Sequence, residues 1–321
     1  IGFLLGDPIG DGGQWNMAMN LIRKHGLVPK VAYPESKSSS STRWMNAILK
    51  DLLRSGASEI REILDNGGTV KQAREHKDSR MSDVWRVLCI HLGTPPEKFD
   101  WQWEDKDGEF NRRGSITPQE FASEYVDMDW EDFVCIVNDP RNKYYQRYTV
   151  DFLQNVAGGP PVIYLNVPSS EMKAITQKLL EDGNPVWMGC DVGKQMHRQR
   201  GLWDANLFDF AALYGSEFGM DKANRLRFGQ TMMTHAMLFT GVDVVNGKPR
   251  RWRVENSWGE KESGKKGFYT MNDSWYDEYM FEIACPSDYL SDKMKAGLDS
   301  EPIVLPAWDP MGSLAHDEAL A

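Results

Sequence analysis

Met233-Thr234-His235-Ala236-Met237 is followed, across a run of apolar and β-branched residues and the dipeptide Asn246-Gly247, by Glu255-Asn256-Ser257-Trp258-Gly259. The midpoint between His235 and Asn256 falls between Val245 and Asn246, beside the Asn-Gly pair. Asn-Gly suits a tight hairpin because both residues tolerate positive φ. The flanks read as strands: Ala236 to Val245 is apolar and β-branched, and Trp252-Arg253-Val254 alternates. The spacing therefore predicts a hairpin that returns Asn256 to the level of His235. An Asn carbonyl there accepts the imidazole N–H and fixes its tautomer and ring plane, and the other ring nitrogen can then serve a nucleophile. Trp258, two residues on, is placed to cover that bond from water. Taken singly, each piece has a plainer reading: a buried, satisfied histidine, and a turn with an aromatic anchor. The two at hairpin spacing are harder to explain that way. The missing member is a nucleophile.

The chain has 321 residues, 41% hydrophobic and 26% charged, with a formal net charge of −10. That composition is of an ordinary globular protein large enough for two packed units. The acidic balance does not indicate a nucleic-acid surface or an anionic-membrane surface. No apolar run approaches the about 20 residues a membrane helix needs, and no signal-peptide pattern opens the sequence. Cys89, Cys135, Cys190 and Cys285 are far apart and form no C-x-x-C pair. Disulfide staples and a zinc site are therefore not expected, and a reducing compartment is the simpler reading. The start at Ile1, apolar through Leu5, reads as a piece cut from a longer protein.

Asp11-Gly12-Gly13-Gln14 opens a helix carrying Trp15, Met17, Met19, Leu21 and Ile22, and stopped at Lys24-His25-Gly26. The two glycines are either a turn or a place where extended backbone approaches a ligand. Ser36 to Thr42 is a polar boundary loop. Three helical stripes follow: Met45 to Leu53, Ile60 to Leu64 ending at Asn66-Gly67-Gly68, and Met81 to Cys89. Phe99 to Phe110 predicts a hairpin with Lys106-Asp107-Gly108 at its tip. Thr117-Pro118-Gln119-Glu120 reads as a capped helix start.

From there the pattern turns to strands: Phe133 to Val137, Pro160 to Pro168, Pro185 into the loop at Gly193, the His and Asn hairpin, Gly267 to Met271, and Tyr279 to Ala284. One helix, from Ser169 to Leu180, interrupts them. The order is α+β, without βαβ alternation. Pro302 to Ala315, with three prolines, predicts an extended arm that packs onto something rather than regular structure.

Five blocks together resemble the bleomycin hydrolase family of papain-like cysteine peptidases. They are Asp11-Gly12-Gly13-Gln14-Trp15; Trp187 to Lys194; Met233 to Met237; Trp252 to Gly259; and Leu305 to Gly312, in that family's order across nearly the whole chain. The resemblance implies an α+β, papain-like core with an inserted helical domain and an extended C-terminal arm. In this sequence that places a remnant of the helical left subdomain at 1–35, the mainly helical insertion at 36–128, the strand-rich subdomain with His and Asn at 129–290, and the arm at 291–321. It implies a cytoplasmic thiol aminopeptidase without metal or organic cofactor, assembled as a homohexamer. Peptides and aminoacyl amides such as bleomycin are the implied substrates. It assigns His235 as base and acid, Asn256 as its orienting partner, and Gly12, Gly13, Trp258 and the arm at Ala315 to substrate binding.

Two departures stand out. The family's nucleophilic Cys and oxyanion-hole Gln precede the Asp-Gly-Gly block, so this chain is expected to lack both and to be inactive alone. Cys190, the one cysteine reading as a loop residue, is a non-nucleophile by the resemblance, and the neighbouring Asp191 would raise its thiol pKa. In addition, His316 to Ala321 continue past the family's usual end. The alternative is a non-catalytic family member serving as an assembly or binding subunit. A transglutaminase-like acyltransferase would need Asp at position 256.

Overall fold

The computed structural model describes residues 1–10, 12–126, 128–260 and 264–314. The chain divides into two compact units, Ile1–Asp11 with Leu21–Met128, and Gly12–Asn20 with Asp129–Ala321. In chain order the first elements are α1 (Gly2–Gly6), α2 (Trp15–His25), α3 (Arg43–Asp65), α4 (Val70–Leu92), β1 (Phe99–Glu104), β2 (Phe110–Ile116) and α5 (Pro118–Tyr125).

The first unit is built on the α3–α4 hairpin. Helix α3 is continuous where two separate stripes were expected. Gly56 sits between those stripes, and the Arg80 stem packs 3.3 Å from where its Cβ would stand. Glycine there costs helix propensity but admits the neighbouring helix. Asn66-Gly67 ends α3, and Thr69 opens α4 with a capping box to Gln72. Met45, Leu49 and Val84 make the seam. Met81 and Trp85 lie outside it, 46% and 54% exposed, so the α4 stripe is wider than the face it buries. Glu59 accepts from both Arg80 and His76, which ties the helices together and holds its carboxyl well below the usual range. β1 and β2 pair antiparallel around a turn at 105–109. Thr117, Pro118 and Glu120 form the expected capping box.

The second unit contains β3 (Phe133–Val137), β4 (Gln146–Val150), β5 (Tyr164–Asn166), α6 (Ser169–Glu181), β6 (Val186–Cys190), β7 (Met196–His197), β8 (Leu202–Trp203), α7 (Phe210–Tyr214) and α8 (Lys222–Arg227). It continues with β9 (His235–Val245), β10 (Lys248–Glu255), β11 (Phe268–Asn272), α9 (Asp273–Tyr279), β12 (Met280–Pro286), α10 (Asp292–Leu298) and β13 (Ile303–Leu305). Eleven strands form one mixed sheet in the order β13-β4-β5-β3-β12-β6-β9-β10-β11-β8-β7. The class is α+β. One core joins Met188, Met237, Phe239, Trp252 and Val254 to Met172 and Leu179 of α6 and Trp275 and Tyr276 of α9. A second cluster joins Cys135, Val137 and Tyr164 to Met17 of α2 and Met311 of the arm.

Two sequence expectations are corrected. The strand expected over 160–168 is only Tyr164–Asn166, because the prolines around it donate no ladder bonds. The arm is partly regular: Ile303–Leu305 pairs parallel with β4, and Pro310–Gly312 is a 3₁₀ turn capped by Asp309. Pro302 and Pro306 flank the strand rather than interrupt it. Among the described residues no helix is long and apolar enough to cross a membrane.

Lys222 and Glu282 are among the ionisable groups buried in this unit. Lys222 donates to Asn138 Oδ1 (2.8 Å) and to the Met280 carbonyl, and desolvation lowers its pKa to about 7. Glu282, in mid-strand on β12, is 2% exposed, and its Oε1 has no hydrogen-bond partner. Burial raises its pKa from 4.5 to about 8, against a smaller lowering from Cys135. Between those two values the native chain holds a proton that the unfolded chain has released, so stability falls as pH rises. The slope approaches ~1.4 kcal/mol per pH unit for one fully linked group. Lys222 acts in the opposite sense only above about pH 7, where its unfolded form holds the extra proton. Glu282→Gln is therefore expected to flatten the decline in urea midpoint between about pH 5 and pH 7. An unchanged slope in the variant would remove Glu282 as its source.

Candidate active site

The β9–β10 hairpin turns at Asn246-Gly247, with φ of 52° and 75°. The closing pair is Val245↔Lys248, so the loop is the dipeptide itself. Each strand then slips once, at Pro249/Arg251 and at Arg253/Val254, and the final pairs are Val254↔Phe239 and Glu255↔Leu238. One further step puts Asn256 opposite Met237, two residues from the level that the sequence midpoint implied. Residues 235 and 237 share a face, since strand side chains alternate, so the side chains still meet. His235 Nε2 and Asn256 Oδ1 are 2.9 Å apart. A carboxamide oxygen only accepts, so Nε2 carries the proton and Nδ1 lies on the far side of the ring from Asn256. The Asn256 backbone N–H donates to Gly267 O (3.0 Å), which anchors the residue just beyond the end of β10.

The pair is nearly dry, with each residue 7% exposed. Trp258 packs against the imidazole at 4.9 Å between ring centroids. Its indole meets Tyr269 edge-on, and the Arg198 guanidinium lies 4.7 Å from its centroid. The sequence thus placed three residues that the fold brings together: His235, Asn256 and Trp258.

Gly12 and Gly13 are not in described contact with them. A Cβ at Gly13 would have nothing within 4 Å among the described residues, so no packing against them requires glycine there. The next residue, Gln14, is buried and donates from Nε2 to Ser313 O (2.8 Å), while its Oε1 accepts from Tyr164. Tyr164 also donates to Met311 O (3.2 Å), and Ser313 Oγ donates to Met233 O (2.8 Å), two residues before His235. Arg141 bridges Asp139 and Asp309, each at 2.8 Å. The arm is therefore seated as far as Leu314 beside the segment that leads into His235. Ala315 lies outside the described residues.

Cys190 is not on a loop. It ends β6, opposite His235 in the β9 ladder, and is fully buried in the main core. Burial first, and Asp191 second, raise its thiol well above the usual range. Burial likewise raises Cys135 and Cys285, the latter to about 12. Gly189 permits the close packing beside it, since a Cβ there would stand 2.1 Å from Met233 Sδ. Gln14, Tyr164, Ser313 and Thr231 were given no role from sequence, and Asp191 only that of a charge beside Cys190. Only Gln14, directly after two glycines, carried a local signal.

The signature of the peptidase C1-like family matches residues 1–312. Bleomycin hydrolase of Homo sapiens is 44% identical over 322 aligned residues, covering 98% of this chain and 70% of that protein. Aminopeptidase C of Streptococcus thermophilus is 40% identical over 316 residues, covering 98% and 71%. A crystal structure of pepw from Lactobacillus rhamnosis has a TM-score of 0.94 at 39% identity, covering 98% of this chain and 71% of that one.

The thiol environments predict a labelling pattern. Cys89, half-buried on α4, is expected to react with a maleimide in the native protein, while Cys135, Cys190 and Cys285 react only after unfolding. Peptide mapping by mass spectrometry reads this directly. Rapid native labelling at Cys190 would contradict its burial and reopen it as a nucleophile.

Proposed function

The chain belongs to the peptidase C1-like family, and from that premise we propose that it carries the His-Asn part of a thiol-dependent aminopeptidase site of the bleomycin hydrolase type. The observation that carries the proposal is the dry 2.9 Å bond between His235 Nε2 and Asn256 Oδ1 under Trp258. The similarity to cysteine aminopeptidases supports the reaction class. A thiolate paired with protonated His235 attacks the carbonyl of an N-terminal residue or aminoacyl amide. His235 passes its proton to the leaving amine, and water, activated by the same ring, releases the acyl group. Asn256 holds the ring plane and the Nε2–H tautomer throughout.

The attacking thiol, in this proposal, comes from a segment that is not in the sequence of residues 1–321. Cys135, Cys190 and Cys285 are buried with raised thiols, and Cys89 lies in the last turn of α4 rather than at a helix N-terminus. The chain alone is accordingly proposed to be inactive. Gly12, Gly13 and the arm at Ala315 are proposed to line the substrate path, with the arm near the substrate amino group. The seating of Ser313 on Gln14 and Met233 supports that placement. A cytoplasmic homohexamer follows from the family resemblance. The alternative, a non-catalytic assembly or binding subunit, draws on the same burial of Cys135, Cys190 and Cys285.

The coding sequence upstream of Ile1 separates the two readings. An open frame encoding Gln, several residues, then Cys-Trp supports the enzyme; a start codon at Ile1 overturns it. In the protein carrying that thiol, His235→Ala is expected to cut kcat on the order of a millionfold, as for members of a catalytic set that act as a unit. Asn256→Ala is expected to lower kcat less and to leave KM and the far-UV spectrum unchanged. Normal turnover by His235→Ala on an aminoacyl amide would exclude this mechanism.

A further inference from the structure

His235 is the first residue of β9, so its placement depends on residues 231–234, which form neither helix nor strand. Asp191 holds that segment. Thr231 Oγ1 donates to Asp191 Oδ2 at 2.7 Å, and Thr234 Oγ1 lies 3.4 Å from Oδ1. Thr234 is further fixed by two bonds: its N–H donates to Cys190 O (2.9 Å), and its hydroxyl accepts from Val192 N (3.1 Å).

The carboxylate stands on a rigid base. Asp191 N donates to Tyr279 O (3.0 Å), Trp203 Nε1 to Val192 O (2.9 Å), and Trp275 Nε1 to Lys194 O (2.7 Å). Asp191 itself is only 4% exposed. Burying an acid this deeply is costly unless its oxygens are used, and here they bind one segment, the entry to β9. A carboxylate offers about four acceptor sites, whereas the amide nitrogen of Asn cannot accept at all. The isosteric amide therefore cannot accept from Thr231 on one terminal atom and from Thr234 on the other.

We infer that Asp191 is a positioning residue for His235: it clamps Thr231 and Thr234 so that the imidazole enters β9 already aimed at Asn256. The inference rests on the reading of His235 as the catalytic base and adds the residue that orients it from the backbone side. Asn256 fixes the ring from its tip. Asp191 fixes the chain from which the ring projects. The two constraints are independent, because one acts through Nε2 and the other through the residue before His235.

The test uses the ring nitrogens of this chain labelled with ¹⁵N-histidine, with His235 assigned by its absence in His235→Gln. In the native protein His235 is expected as a single Nε2–H tautomer. In Asp191→Asn that single tautomer is expected to be lost to a mixture, while the other five histidines keep their signals. Thr234→Val leaves Asp191 in place, nearly conserves volume and is expected to give the same loss; Thr234→Ser retains the hydroxyl and is expected to restore the native signal. If Asp191→Asn fails to fold, the Thr234 pair decides alone. Native His235 signals in both Asp191→Asn and Thr234→Val would overturn the inference. Absence of the Nε2–H tautomer in the unmodified chain would instead sink the His235–Asn256 reading, and this inference with it.

Discussion

The β9–β10 register is the constraint on which the site depends. His235 begins one strand and Asn256 follows the end of the other, so their separation is set by every pair between them and the Asn246-Gly247 turn. A slip by one residue would send one side chain to the opposite face of the sheet. The two irregularities compensate: one lies on each strand, and the register regained at Val254↔Phe239 matches that at the turn. Neighbouring strands β6 and β11 hold the hairpin from both sides. A 2.9 Å bond between two long-range partners therefore needs no loop to find its geometry, and sites on such elements are the better preorganised kind.

The buried acids Asp191 and Glu282 have different consequences. Asp191 has oxygens engaged by Thr231 and Thr234, and its burial gains a fixed entry to β9. Glu282 sits in mid-strand with one oxygen unpartnered, so it holds its proton, and its burial weakens the fold as pH rises through the neutral range. The first is a hydrogen-bonded joint between two loops. The second is a pH liability within the sheet, because Oε1 is left without a donor.

Much of this was legible in the sequence because the signals are local. The Asn-Gly turn, the Thr117 capping box and the break at Asn66-Gly67 each follow from the chemistry of a few adjacent residues. Their effects are visible in φ at Asn246 and in the Glu120 bond to Thr117. The continuity of α3 was hidden because the apolar stripe lapses between Leu53 and Ile60. The two register slips lie beside Pro249 and Gly241, residue types that accompany bulges but do not by themselves say which strand gains the extra residue. Asp191 was hidden for another reason. Its partners lie some forty residues away, and in the sequence it looked only like a charge beside Cys190.

The arm has the same logic at longer range. Three prolines suggested a segment without regular structure, yet Ile303–Leu305 becomes the sheet's edge strand against β4. That pairing, the Arg141–Asp309 contact and the packing of Met311 into the second cluster lead the chain to Ser313. There Gln14 and Met233 hold it from two sides. Met233 and His235 belong to one short stretch, and that stretch is in turn tied to Asp191. The strand that carries the imidazole and the arm that passes beside it are therefore referenced to one sheet, and a change in the 231–234 segment would shift both. Such coupling explains why a chain this acidic keeps a carboxylate buried at Asp191: neutralising it would loosen the entry to β9 and the seat of the arm together.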